Sequence, residues 1–207
     1  MATDGTAVVW SGTQEAWFRA VNDVARSTPW LHASARLYAE YGVVLFAALL
    51  LGSWLLTRRD GDPRRVAAAL WAPAGMMLAI GLNQVVAAIV AEPRPYTAMP
   101  GVLVLVSRST DPSFPSDHAV MAGAVAAGVL LAHRRLGLVA VALAALMAAT
   151  RVYVGAHFPL DVVAGLALGA VVVAASYLLV RLLLLRLVVL LARTPLRPFV
   201  TADEALS

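Results

Sequence analysis

Cysteine and lysine are both absent from the 207 residues of this chain. The first absence excludes disulfides and thiolate metal sites. The second means that all 16 Lys+Arg positions are arginines. Met1 to Gly12 also lacks a basic start followed by an apolar stretch, so no cleavable signal peptide is predicted. What fills the chain instead is apolar. Some 61% of it is hydrophobic and its mean hydropathy is +0.80, against about 45–50% apolar in an ordinary soluble domain. The excess lies in long runs, so the expected solvent is a lipid bilayer. A net charge of +4 would suit nucleic acid. Many arginines, however, cluster in short loops between apolar runs, which is the pattern of membrane topology, and no nucleic-acid partner is expected.

The expected fold class is all-α: a polytopic membrane helical bundle of about five to six transmembrane helices with an interfacial N-terminal helix. Residues 13–26 are mildly amphipathic, with Trp17, Val21 and Val24 roughly on one face. The segment is too polar to span, and predicts a helix lying in the interface that ends near Pro29. Spans are expected at 41–57, at 66–91 with a kink at Pro73, from 116 to just before His133, at 136–153, and from 159 past Tyr177. Arg181, Arg186, Arg193 and Arg197 mark the last exit and a basic tail. The expected division is an interfacial region 1–35, a membrane domain 36–195 and a cytoplasmic tail 196–207. Trp10, Trp17, Trp30 and Tyr38 read as interfacial aromatics. Gly165, Gly169, Ala174 and Ala175 read as small residues that permit close helix contact.

The 58–65 turn holds four arginines, the 133–135 turn two, and the tail up to four. Five spans put all three on one side, which the positive-inside rule makes cytoplasmic. The 92–115 loop and the 153–159 turn then lie outside the cell membrane, as does the N-terminal helix. A sixth span within the first 40 residues would move only the N-terminus.

Beyond these arginines, Arg94, Asp117, His118, Arg151, His157 and Asp161 remain, all at span ends that share the outer face. Ionisable groups near membrane depth are costly, and two of each type on one face point to function rather than anchoring. Arginine forks suit phosphate oxygens. Ser116 is placed to cap the third span, whose first amides form an anion site, with His118 in the same turn. Asp161 follows His157 by four residues where Pro159 begins a helix, so the carboxylate is placed to orient the imidazole. This set fits phosphoryl transfer through a phosphohistidine. No acidic cluster suited to a metal is evident, and neither a metal nor another cofactor is expected. His32 and His133 read as structural.

These residues resemble the type-2 phosphatidic acid phosphatase family of membrane lipid phosphatases. Arg94-Pro95 matches its first signature, Pro115-Ser116-Asp117-His118 its second with Asp for Gly, and Thr150-Arg151, His157 and Asp161 its third with Thr for Ser. The resemblance implies that His157 is the nucleophile, that Asp161 orients it, and that His118 protonates the leaving oxygen. It also implies that Arg94, Arg151 and Ser116 hold the phosphoryl oxygens, helped by amides near Asp117 and Gly155. Ser113 to Ala119 resembles the version found in the bacitracin-resistance branch, whose members are undecaprenyl-diphosphate phosphatases. The implied partners are a lipid phosphate and the bilayer; the oligomeric state is left open.

Two positions depart from the pattern. Ala87 stands where the motif lysine falls, and Glu92 where many relatives carry arginine. A missing charge-assisted contact costs about 1.5–3 kcal/mol of binding, unless a group such as Arg108 replaces it. Asn83 and Gln84, on the same span, read either as hydrogen-bond donors to the site or as glue between helices, with glue preferred. Phosphatidate, phosphatidylglycerol phosphate and polyprenyl-linked sugar phosphates are rival substrates, and a non-catalytic lipid-phosphate binder or transporter is a rival of another class.

Overall fold

A computed structural model describes residues 11–202. Trp10 and the end of the tail lie outside the described residues. The order is α1 (Ser11–Ser27), a 3₁₀ turn (Pro29–Leu31), α2 (His32–Asp60), α3 (Pro63–Val90), the one-turn α4 (Pro95–Ala98), α5 (Asp117–Ala132), α6 (Arg134–Tyr153), α7 (Pro159–Leu191) and a closing 3₁₀ turn (Arg197–Phe199). Helices α2, α3, α6 and α7 are long and apolar enough to cross a membrane, and α5 is a shorter apolar helix. The chain is a multi-pass membrane protein with an all-helical fold.

Local chemistry sets the helix ends. Gly61, at φ 70°, ends α2 in the left-handed conformation that glycine adopts without steric cost. Asp62 then caps α3, its carboxylate accepting from the Arg64 amide at 2.9 Å, and Pro63 takes the first helical position. His133 does the same for α6, its Nδ1 accepting from the Leu136 amide at 3.2 Å. His32 contacts the Ala25 carbonyl at 2.8 Å. Both histidines therefore have structural partners. Helix α3 is continuous through Pro73.

The core is built around α5, whose Ala- and Gly-rich surface is buried along most of its length. It packs against α3, α6 and α7, with α2 alongside. Small residues make this possible because lipid supplies no hydrophobic drive between helices, so close van der Waals contact must hold them. A side chain at Gly169 would collide with the Val120 backbone, and one at Gly165 would meet the Ser116 carbonyl at 2.8 Å. Ala175 is exposed and takes no part in this seam. The outer surfaces carry Leu51, Val85, Ile89, Leu138, Val171, Leu179 and Leu183, all exposed, as a bilayer requires.

Several boundaries differ from those expected. Helix α2 begins at His32 rather than at 41, so it runs across the division expected at 35. Helix α7 has 33 residues, about 50 Å at 1.5 Å per residue, so Arg181 and Arg186 lie on the helix and not in a tail. The chain beyond it folds back. Val200 is buried against Val66, Ala67 and Val188, and Arg58 and Trp54 donate to the carbonyls of Pro198 and Phe199 at 2.7 and 2.9 Å. The first 40 residues carry α1 and the start of α2 and contain no sixth span among the described residues.

One end of the bundle thus gathers the arginine-rich 58–65 turn and the folded-back tail. The other gathers α1, the 92–115 segment and the 153–159 turn. Helix α1 lies across this second end. Asn22 donates to the Leu103 carbonyl at 2.9 Å and accepts from the Leu103 amide at 3.0 Å, and Phe18 meets Phe158 edge to face at 5.5 Å between ring centroids.

Candidate active site

His157 lies in the turn between α6 and α7 and is buried. The turn is shaped by Gly155, at φ 78°, where a side chain would strike the Leu103 carbonyl. The Gly155 amide donates to Val152 at 3.0 Å and the Ala156 amide to Arg151 at 3.1 Å. Gly155 therefore shapes the turn, and its amide is committed rather than offered to phosphate as expected.

The partners of His157 decide its tautomer. Arg94 Nη1 stands 3.3 Å from Nε2, and a guanidinium can only donate, so Nε2 carries the lone pair. Nδ1 stands 2.9 Å from the Ser113 carbonyl, which can only accept, so Nδ1 carries the proton. The basic nitrogen faces the arginine, as a nucleophile aimed at a phosphoryl group must. Burial, then Arg151 and Arg94, hold the imidazole well below its ordinary value of 6.5, with Ser113 and Asp117 opposing.

Asp161 is fully buried in the first turn of α7. Its Oδ2 approaches His157 Nδ1 to 3.5 Å, too long for a good hydrogen bond. The same oxygen accepts from Ser113 Oγ at 2.5 Å and from the Phe158 amide at 2.8 Å. The expected pairing of Asp161 with His157 is thus a close approach, and the bond to the ring is made by Ser113. Asp161 is occupied as a helix cap reaching back to the N-cap amide.

Ser116 is the N-cap residue of α5, but its side chain caps nothing. Its amide donates to the Asp161 carbonyl at 3.1 Å, and its buried Oγ has no partner among the described residues. The expected capping bond is absent, which leaves the hydroxyl for a ligand. Arg151 is buried, and its Nε likewise lacks a partner. Arg94 is held by its Nε donating to the Asp111 carbonyl at 2.9 Å. His118, in the first turn of α5, lies within Coulombic range of Arg151, His157 and Arg94. The structure therefore brings together His157, His118, Asp161, Arg94, Arg151 and Ser116. Two guanidinium forks, a hydroxyl without a partner and a helix N-terminus lie at the same end of the bundle as the His157 Nε2 lone pair, which Arg94 faces, an arrangement that can bind and attack a phosphoryl group.

Asp117 occupies the first position of α5. Its Oδ1 accepts from Asn83 at 2.6 Å and from Gln84 at 2.9 Å, both on α3. Asn83 also donates to the Pro115 carbonyl at 3.2 Å. These amides are glue, as preferred, but glue applied to the wall of the site. Glu92 is held by Gln14 of α1 at 2.8 Å. Arg108 stacks on Tyr96, 5.4 Å from the ring centroid, and Tyr96 lies within Coulombic range of Arg151. Sequence reasoning missed Ser113, which stands two residues before the second signature and drew no role there; its carbonyl meets the His157 ring and its hydroxyl meets Asp161.

Residues 68–184 match the PAP2 superfamily model. The undecaprenyl-diphosphatase BcrC of Bacillus subtilis is 31% identical over 155 residues, 75% of this chain and 78% of that protein. The decaprenylphosphoryl-5-phosphoribose phosphatase of Mycobacterium tuberculosis is 35% identical over 154 residues, 74% of this chain and 82% of that protein. Among solved structures, the PAP2-type phosphatidylglycerolphosphate phosphatase of Bacillus subtilis superposes with a TM-score of 0.64 at 22% identity, covering 82% of this chain and 85% of that one.

Proposed function

We propose that this chain, which belongs to the PAP2 superfamily, hydrolyses a polyprenyl diphosphate to the monophosphate. It is a lipid phosphate hydrolase with a helical membrane fold. The observation that carries the reading is the His157 Nε2 lone pair turned toward Arg94, at the end of the bundle where Arg151 Nε and the Ser116 hydroxyl lack partners among the described residues. The similarity to an undecaprenyl-diphosphatase over three-quarters of the chain supplies the substrate class.

In this mechanism the terminal phosphoryl group is held by Arg94, Arg151, Ser116 Oγ and the first amides of α5. His157 Nε2 attacks phosphorus and forms the N–P bond as the bridging P–O bond breaks. His118 gives its proton to the departing lipid monophosphate. Water, losing a proton to His118, then attacks the phosphohistidine, and inorganic phosphate leaves with Nε2 restored. Asp117, clamped by Asn83 and Gln84, fixes the first turn of α5 and so the position of His118. The site works at the extracytoplasmic face of the plasma membrane, at the end opposite the arginine-rich turns.

The test is phosphate release by the purified protein in detergent with chelator present, comparing undecaprenyl diphosphate, phosphatidate and phosphatidylglycerol phosphate. Preference for the diphosphate is the expected result, and preference for a glycerolipid overturns the substrate. A polyprenyl-linked sugar phosphate is the second reading, favoured by the mycobacterial relative, and belongs in the same panel.

A further inference from the structure

Residues 108–111 are stapled to the one-turn helix α4 that follows Arg94. Tyr96 Oη donates to the Ser109 carbonyl at 2.9 Å and accepts from the Ser109 amide at the same distance. Ser109 Oγ donates to Asp111 Oδ2 at 2.6 Å and accepts from the Asp111 amide at 3.1 Å. The Asp111 carbonyl receives Arg94 Nε at 2.9 Å. These bonds fix the Tyr96 ring, and the Arg108 guanidinium lies over its face, 5.4 Å from the centroid. Arg108 is exposed, and its guanidinium takes part in no hydrogen bond or ion pair among the described residues. The acid of its own loop, Asp111, is turned to Ser109 instead. Arg94 faces His157 Nε2, so the loop holds an unengaged guanidinium beside the segment that carries an engaged one.

A diphosphate has two phosphate groups, and only the terminal one is transferred. Arg94, Arg151 and Ser116 serve that one. The group left on the lipid is also anionic, and the cation of the family motif is missing: Ala87 is buried and apolar, and Glu92 brings a carboxyl group bonded to Gln14. We infer that Arg108 binds the phosphate group that stays with the lipid, so that a diphosphate is held by arginine at both of its phosphates. An arginine fork matches phosphate oxygens two at a time. A guanidinium resting on an aromatic face has fewer rotamers to lose when the ligand arrives, which favours binding. Tyr96 is the platform, and the bonds through Ser109 and Asp111 tie its position to that of Arg94. This role rests on the proposed reading of the substrate as a diphosphate, under which Arg108 distinguishes a diphosphate from a phosphate monoester.

The test compares wild type with R108Q and R108K, purified in detergent. Binding of methylenediphosphonate, whose P–C–P bridge resists hydrolysis, is measured by calorimetry against binding of inorganic phosphate. Wild type is expected to prefer the diphosphonate, and R108Q to lower that preference about tenfold, the lower end for a hydrogen bond to a charged group because the position is open to solvent. R108K keeps the charge without the fork and is expected to lose less. In turnover, the ratio of kcat/KM for undecaprenyl diphosphate to that for phosphatidate is expected to fall by a similar factor in R108Q. A loss of equal size for both ligands would assign Arg108 to the fold or to general attraction of anions, and overturns the inference. An unchanged preference in R108Q, or a wild type that binds the two ligands alike, overturns it too. Should wild type release no phosphate from undecaprenyl diphosphate, the proposed function fails by itself, and the diphosphonate preference still decides the role of Arg108.

Discussion

Asn83 on α3 donates to Asp117 Oδ1 at the start of α5 across 2.6 Å. This bond ties α3 to the turn that carries His118. Asn83→Leu keeps the volume and deletes the donor, leaving Gln84 as the remaining clamp. Phosphate release is expected to fall about tenfold, and the melting temperature to drop, because the buried Pro115 carbonyl and Asp117 lose a donor at a cost of about 1–3 kcal/mol. Wild-type turnover in this variant would show that the clamp does not position the site.

His157→Ala removes the nucleophile. Turnover should fall roughly a thousandfold or more, while the protein keeps its helical circular dichroism. Acid-labile phosphate trapped on wild type during turnover should be missing from this variant. Near-normal hydrolysis would exclude the phosphohistidine route.

Burial and two arginines hold the His157 imidazole below its ordinary value of 6.5. Below that pH the unfolded chain binds this proton and the folded one does not, so stability rises with pH there and is lost as pH falls. The nucleophile also stays neutral at about pH 6, where a free histidine would be largely protonated. Melting temperature measured against pH should show a descent below about pH 6.5 that is reduced in H157Q. An equal descent in both proteins would assign it to other groups.

Ala87 lies on α3 one turn beyond Asn83, on the path toward Arg94. A lysine there restores the cation that the family motif carries. Ala87→Lys is expected to tighten inhibition by inorganic phosphate about tenfold. Equal or weaker inhibition would mean that the pocket is completed by another group, with Arg108 on Tyr96 the first to test.

Gly155 combines φ 78° with direct backbone contact to Leu103. Gly155→Ala is expected to cost about 2 kcal/mol or more and to displace the turn that presents His157. A lowered melting temperature together with lost activity is the signature. An unchanged melting temperature would show that the turn accommodates a side chain.

The membrane class, the succession of spans and the grouping of Arg94, His118, Arg151, His157 and Asp161 at one end were legible in the chain itself. Apolar runs of bilayer length, arginine-rich turns between them and the four-residue step from His157 to Asp161 are local properties, and local properties can be read from order alone. Helix ends were read less well. The starts of α2 and the length of α7 depend on contacts with α1 and with the folded-back tail, which no single segment contains. The partner of the His157 ring was also beyond reach. Spacing placed Asp161 one turn away, but which acceptor wins is settled by tenths of an ångström, and Ser113 is brought to 2.9 Å of Nδ1 from 44 positions away. The sequence by itself determined the chemistry available at this end of the bundle. Only the packing of α5 between α3 and α7 decided which atoms of it meet, because a hydrogen bond depends on distance and direction in space rather than on distance along the chain.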